Sequence, residues 1–245
     1  MINPRYYQDF LDLLFPPVCP LCNEHWINDD DNISSMDEFC QNCVQKLKCE
    51  YENFCLKCGL PIGKEVNSPD CKTCRGRTIH YDHLLFVNEY KTYIGELVVN
   101  FKYGKDKLLA HFLGKMISKK IKDKYSDVEV VVPVPMFWLK KLKRGFNQAE
   151  MLGLEIAHDL HKPLITNILK RSKIGANQAG QSRTTRYKGV NDLYFVNEVV
   201  PFKKVLLIDD VVTTGSTLSE CAKLLKASGV ERVYCAAIAG VHRNK

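Results

Sequence analysis

The chain has 245 residues, 45% of them apolar and 26% charged, with 35 Lys and Arg against 28 Asp and Glu for a net charge of +7. That balance excludes a disordered or fibrous chain. No apolar run approaches the roughly 18 residues of a membrane helix, so a protein that does not span a bilayer is expected. The charge is unevenly spread: residues 1–80 hold 8 basic and 12 acidic side chains, residues 91–125 hold 9 and 3, and residues 138–190 hold 11 and 3. Cations gathered in the two middle segments suggest an electropositive surface for phosphates or nucleic acid. The plainer reading, a solvated Lys-rich helix face, fits residues 115–124 best.

Phe10, Leu11, Leu13, Leu14 and Phe15 begin the chain's periodic segments with a short amphipathic helix that stops at Pro16 and Pro17. Asp9 and Asp12 interrupt it, and Arg5 is its only side-chain cation. It reads as a packing helix and not as a secretory signal, which makes a cytoplasmic protein the expectation. Nine of the eleven cysteines then fall between Cys19 and Cys74, eight of them as C-x-x-C pairs: Cys19/Cys22, Cys40/Cys43, Cys55/Cys58 and Cys71/Cys74. Two residues between thiolates let one tight turn aim both sulfurs at one ion, and two such turns close a tetrahedral zinc site with no position open for chemistry. About two structural Zn²⁺ sites are expected. The simplest pairing joins the first pair to the second and the third to the fourth, and a cross-braced pairing satisfies the spacing equally. Residues 1–80 are poor in apolar side chains, so metal binding supplies their folding free energy. Cys49, Cys221 and Cys235 read as core or spectator thiols.

From Tyr81 the pattern changes. A strand is expected at Leu84–Glu89, a helix over Tyr93–Phe101, and a second helix from about Lys107 to Lys122. Val128–Val134 is a valine run broken only by Glu129 and Pro133, the mark of a strand buried on both faces, and a helix opens near Asn147. A short strand at Leu164–Leu169, a buried strand at Val205–Ile208, a helix that stops at Gly229 and a strand at Val233–Ala239 complete the series. Buried strands alternating with helices imply an α/β fold with a parallel sheet and flanking helices over residues 81–245.

In such a sheet ligands bind beyond the carboxyl ends of the strands. Val205–Ile208 runs directly into Asp209, Asp210, Val211, Val212, Thr213, Thr214, Gly215, Ser216 and Thr217. Gly215 lets the backbone approach a ligand, and the hydroxyls of Thr213, Thr214, Ser216 and Thr217 surround amides at a helix N-terminus, a ready site for a phosphate monoester. The adjacent carboxylates suit a pair of vicinal sugar hydroxyls or a divalent metal. A capping box from Thr217 and Glu220 is the competing local reading. A P-loop is excluded because no glycine is followed by Lys-Ser or Lys-Thr, and the spaced glycines of a dinucleotide site are absent. Residues 173–188 carry almost no apolar side chain, two glycines and several cations, which suits a mobile lid that excludes water, or an ordinary surface connection.

The segment from Val205 to Thr217 resembles the signature of type I phosphoribosyltransferases: hydrophobic strand, two acids, then T-T-G-S-T. The whole chain resembles the ComF family of competence proteins, also called GntX-like, through Phe15–Cys22, Phe101-Lys102-Tyr103, Val132-Pro133-Val134-Pro135, Arg144–Glu150 with its R-G-F-N-Q, Gln178, Gln181-Ser182-Arg183 and Arg186. Tyr187–Val190 departs from that pattern by a longer path to the next strand. The resemblance implies an N-terminal zinc ribbon over 1–80 and a phosphoribosyltransferase-like domain over 81–245. It further implies that Asp209 and Asp210 meet the ribose hydroxyls of 5-phosphoribosyl 1-pyrophosphate (PRPP), that Thr213–Thr217 hold its 5-phosphate, and that Mg²⁺ bridges its pyrophosphate. Lys102 and Arg144 follow elements that reach the pyrophosphate end, and Gln178, Arg183 and Arg186 become lid or nucleic-acid contacts. Two functions follow from it: transfer of ribose 5-phosphate to a nitrogen acceptor in connection with DNA uptake, or a non-catalytic adaptor that binds single-stranded DNA under PRPP control. In a third, the ribbon binds a protein such as an uptake helicase.

Overall fold

The structure, a computed structural model, describes residues 18–19, 22, 24, 39–47, 54–62, 71, 74–104, 108–172, 187–188, 193–196 and 200–241. The helix expected at Phe10–Phe15 and the spectator thiol Cys49 lie outside the described residues. The chain falls into two compact units, Met1–Lys48 and Cys49–Lys245.

In the first unit, α1 (Gln41–Leu47) buries Cys43 and Leu47, and Phe39 is buried just ahead of it. The Val44 amide donates to the Cys40 carbonyl and the Cys19 amide to the Glu24 carbonyl, two turns that aim sulfurs inward.

The second unit runs β1 (His83–Glu89), α2 (Tyr93–Tyr103), α3 (Leu108–Ile121), β2 (Val130–Pro133), α4 (Trp138–Arg144), α5 (Gln148–Leu160), β3 (Leu169–Arg171), β4 (Tyr187–Lys188), β5 (Tyr194–Val196), β6 (Lys204–Val212), α6 (Ser216–Ala227) and β7 (Arg232–Gly240). Four strands pair in the order β1-β7-β6-β2, all parallel. Residues on successive positions of a strand face opposite sides, and both sets are apolar here. Leu84, Phe86, Val130, Val132, Val205, Leu207, Val233 and Cys235 join α6 in one core cluster with Leu60 and Tyr81. The alternate set, including Leu85, Val131, Leu206 and Ala236, is equally buried. On that side α5 lies against Val131 and Pro133, and Gly114 of α3 lets Glu155 of α5 come so close that a Cβ would stand 2.5 Å from its side chain. This is the expected parallel sheet with flanking helices.

The strands and helices expected around Leu84–Glu89, Tyr93–Phe101, Lys107–Lys122, Val128–Val134, Val205–Ile208 and Val233–Ala239 are all present, with Asn147 capping α5 by accepting from the Ala149 amide. The expected strand at Leu164–Leu169 is not one element. Leu164 makes a single parallel bridge to Val131, the chain bends at exposed Thr166 and Asn167, and Leu169 opens β3 in a separate antiparallel sheet of order β3-β5-β4. An apolar run shows that residues are buried but not which sheet buries them, and here the two ends serve different sheets. Helix α4 went unanticipated: Trp138, Leu139 and Leu142 stand at helical spacing, but the helix has only seven residues and none of them is buried.

Tyr125 is 1% exposed and stacks on Tyr234 with ring centroids 4.6 Å apart, yet its hydroxyl has no hydrogen-bond partner among the described residues. Tyr125→Phe therefore keeps the packing and removes an unsatisfied group, and it should leave stability unchanged or raise it by about 1 kcal/mol. Tyr125→Ala should lose about 3–5 kcal/mol. Urea unfolding at saturating zinc checks both, and a clear loss in Tyr125→Phe would show that the hydroxyl is bonded after all.

Candidate functional site

β6 is fully buried from Val205 through Ile208, and polarity begins only at its carboxyl end. Alternation along the strand then separates the two acids. Asp209, paired in register with Ala237, turns to the α6 side, where its charge acts on Cys221 and Tyr194. Asp210 turns to the α2 side, and its Oδ2 receives Lys102 Nζ at 2.9 Å. Each carboxylate also accepts the next backbone amide, Asp209 Oδ1 from Asp210 at 2.8 Å and Asp210 Oδ1 from Val211 at 2.7 Å.

The chain leaves β6 through Thr213 and Thr214 and enters α6 at Gly215, whose φ of 74° is left-handed. A Cβ there would be strained and would stand 2.9 Å from the Tyr81 hydroxyl. The helix begins at Ser216 and has no side-chain cap, so Thr217 lies inside the first turn and the Thr217/Glu220 capping box does not form its start. Thr214 Oγ1 and Ser216 Oγ lie 2.8 Å apart. The loop borders a small, open concavity lined by Asp209, Val211, Val212 and residues 213–218. The Ser216 amide donates to Thr214 Oγ1 at 3.3 Å, so hydroxyls, the start of a helix and one carboxyl surround an open concavity, a setting that favours an anion.

Burial pushes the Asp209 carboxyl up to about 8, the Asp210 charge beside it adds to the rise, and Lys102 opposes it. Asp209 is therefore a hydrogen-bond donor as well as an acceptor near neutrality.

The cations expected near the site come from two elements that meet. The Arg144 guanidinium lies 5.3 Å from the Tyr103 ring, next to Lys102 in sequence, and its Nη1 donates to Gln148 Oε1 at 3.3 Å. Gln178, Arg183 and Arg186 lie outside the described residues. Arg171 is a cation that the sequence did not point out. It sits between Phe137 and Tyr194, 5.5 and 5.3 Å from their rings, with Nε buried and without a partner among the described residues. A Lys-Arg pair after Ile168 and Leu169 looks like any strand end, and no local signal marks it.

The eight paired cysteines form two groups: Cys19, Cys22, Cys40 and Cys43, and Cys55, Cys58, Cys71 and Cys74. This is the sequential pairing. Four sulfurs at about 2.3 Å from zinc on a tetrahedron lie about 3.8 Å from one another. Cys22–Cys40 is 3.8 Å, Cys55–Cys74 is 3.9 Å and Cys58–Cys71 is 3.4 Å, and within each group all sulfurs lie within 4.8 Å. Burial raises the Cys43, Cys58 and Cys74 thiols, and the neighbouring sulfurs add to the rise at Cys43. A divalent cation reverses this by fixing all four as thiolates. Both groups fit zinc and are closed, hence structural. Cys221 and Cys235 are buried core thiols, pushed up by burial.

Comparison with known proteins matches residues 10–76 to a double zinc ribbon domain and residues 147–245 to a phosphoribosyl transferase domain. Competence protein F of Haemophilus influenzae is 28% identical over 203 residues, covering 79% of this chain and 86% of its own. Competence protein ComFC of Bacillus subtilis is 28% identical over 224 residues, 86% and 90% of the two chains. DNA utilization protein YhgH of Escherichia coli is 24% identical over 235 residues, 91% and 97%. A solved adenine phosphoribosyltransferase superposes on 56% of this chain and 81% of its own, with 13% identity and a TM-score of 0.39. No helix among the described residues is long and apolar enough to cross a membrane.

Two predictions follow from the geometry. Because the folded Asp209 carboxyl holds its proton above the unfolded range, the native state binds more protons between about pH 4 and pH 8, and this group's contribution to stability falls as pH rises through that window. Asp209→Asn should remove that slope and raise the melting temperature more at pH 8.5 than at pH 5; equal shifts at both would contradict it. Elemental analysis of gently purified protein should find two zinc ions per chain, and a metal-free folded chain would reject both centres.

Proposed function

The chain belongs to the family of Competence protein F and ComFC, a double zinc ribbon joined to a phosphoribosyl transferase domain, and on that premise we propose that it binds PRPP with Mg²⁺ and transfers ribose 5-phosphate to a nitrogen acceptor in the service of DNA uptake. The observation that carries this reading is the concavity at the end of β6, where an uncapped helix start, four hydroxyl side chains and Asp209 converge. In this reading residues 1–80 are the metal-stapled module and residues 81–245 the PRPP domain of a cytoplasmic protein.

The 5-phosphate takes the amides and hydroxyls of 213–217, and the ribose diol lies against Asp209 and Asp210. A Mg²⁺ ion bound with PRPP would supply positive charge at the pyrophosphate; Asp209 and Asp210 are the carboxyls at this strand end that would help hold it, and Lys102 already engages Asp210. Lys102, Arg144 and Arg171 supply cationic surroundings for the departing pyrophosphate, and the sequence adds Gln178, Arg183 and Arg186 as further candidates. The C1–O bond breaks with its electron pair going to pyrophosphate, the acceptor nitrogen forms the new bond to C1, and its proton leaves to water. Catalysis rests on positioning and charge stabilisation.

A second reading, a single-stranded DNA adaptor regulated by PRPP, is favoured by α4. It exposes Trp138, Leu139 and Leu142 at 42%, 49% and 71% among Lys140, Lys141, Lys143 and Arg144, a combination of stacking surface and charge. The same surface is open to a protein partner such as a helicase.

Calorimetry should show Mg²⁺-dependent PRPP binding that the Asp209→Ala/Asp210→Ala double variant loses by at least about tenfold; unchanged affinity in that variant removes the site. Pyrophosphate release with a panel of nucleobases then separates the readings. Turnover supports the transferase, whereas PRPP binding without turnover, together with DNA affinity that falls steeply with salt, supports the adaptor.

A further inference from the structure

The second cysteine group and the sugar-phosphate loop belong to the same compact unit, and a short stretch of chain links them. The Cys74 and Arg75 amides both donate to the Cys71 carbonyl, at 2.9 and 3.1 Å, Gly76 turns the chain with a φ of 76°, and the Arg77 amide donates back to the Cys74 carbonyl at 3.0 Å. The backbone of Arg77 is thus one hydrogen bond away from a metal-ligand residue. Its guanidinium Nη2 donates to the carbonyl of Thr214, in the middle of the loop. Two neighbours reinforce the same approach: the His80 amide donates to Ser219 Oγ at 3.1 Å, and the buried Tyr81 places its hydroxyl against Gly215.

We propose that Arg77 is a positioning residue for the sugar-phosphate loop, and that metal in the Cys55, Cys58, Cys71, Cys74 group is what holds it in place. The peptide between Thr214 and Gly215 is planar and trans, so its carbonyl and its N–H point in opposite directions. Anchoring the carbonyl on Arg77 therefore turns the Gly215 N–H away from Arg77, toward the concavity, before any ligand arrives. The hydrogen bond is charge-assisted and stronger than a neutral one. It also brings a positive group to a loop whose own residues, 213–217, contain none. The inference rests on the reading of this loop as the 5-phosphate site, and it ties that site to zinc occupancy.

The test uses the full zinc-loaded chain and two ligands, ribose 5-phosphate for the loop and inorganic pyrophosphate for the opposite end. Arg77→Ala should weaken ribose 5-phosphate about tenfold, leave pyrophosphate affinity unchanged, and speed hydrogen exchange of amides 215–219 while β7 exchanges as in the wild type. Arg77→Lys, which keeps a donor and a charge, should recover most of both effects. Chelating the zinc from wild-type protein should speed exchange of the same amides more than that of β7, with a smaller increment in Arg77→Ala. Wild-type ribose 5-phosphate affinity and loop exchange in Arg77→Ala, or an equal acceleration across β7, overturns the role of Arg77. Zinc release with no change in loop exchange overturns the metal half. If the wild type does not bind ribose 5-phosphate, the function proposed above fails, while the exchange measurements still decide whether Arg77 orders the loop.

Discussion

The contact between the Tyr81 hydroxyl and the backbone of Gly215 leaves no room for a side chain, and the polar part of the second unit is arranged around it. Because position 215 is a glycine, the chain can leave β6 in a left-handed step and start α6 uncapped, with Tyr81 packed behind the turn. A Cβ at this position would be strained in φ and would crowd the hydroxyl of Tyr81, which belongs to the core cluster with Leu84, Phe86 and Leu218. The same atom group that seals the core therefore shapes the rim of the concavity.

A second constraint comes from the sheet. Strands covered on both faces by helices and apolar side chains tolerate charge only where they end, and β6 keeps to this limit until Asp209. Strand alternation then gives its two acids different chemistry. Asp209 goes toward α6 and into a poorly solvated place where it holds a proton, and Asp210 goes toward α2, where Lys102 keeps it paired. A carboxyl that keeps its proton to higher pH and a lysine-paired one avoid the repulsion of two bare charges.

The cysteine groups address a different problem. Their sequence neighbourhood is poor in apolar side chains, and burial makes Cys43, Cys58 and Cys74 hard to ionise without metal. A bound cation turns that penalty into cohesion, and in the second unit the resulting turn also carries Arg77 and Tyr81 toward the loop.

Much of this was legible in the residues themselves. C-x-x-C spacing is a local geometric statement, so both four-cysteine centres were foreseen. The apolar runs at Val128–Val134 and Val205–Ile208 read as doubly buried strands, and the acids and glycine that follow the second as a strand end. The division of Leu164–Leu169 between two sheets, the exposed helix α4 and the placement of Arg171 between two rings were not legible. Each depends on which distant segment comes to lie alongside, and periodicity carries no information about that. The sequence alone determined which groups are at hand, paired cysteines for metal and two acids followed by hydroxyls and a glycine at a strand end, because residue type and spacing set them within a turn or two. Only the tertiary structure decided that Asp209 and Asp210 part company, that Lys102 occupies Asp210 and that Arg77 reaches Thr214 across 137 positions, because those contacts come from packing a helix and a metal-bound turn against a strand end.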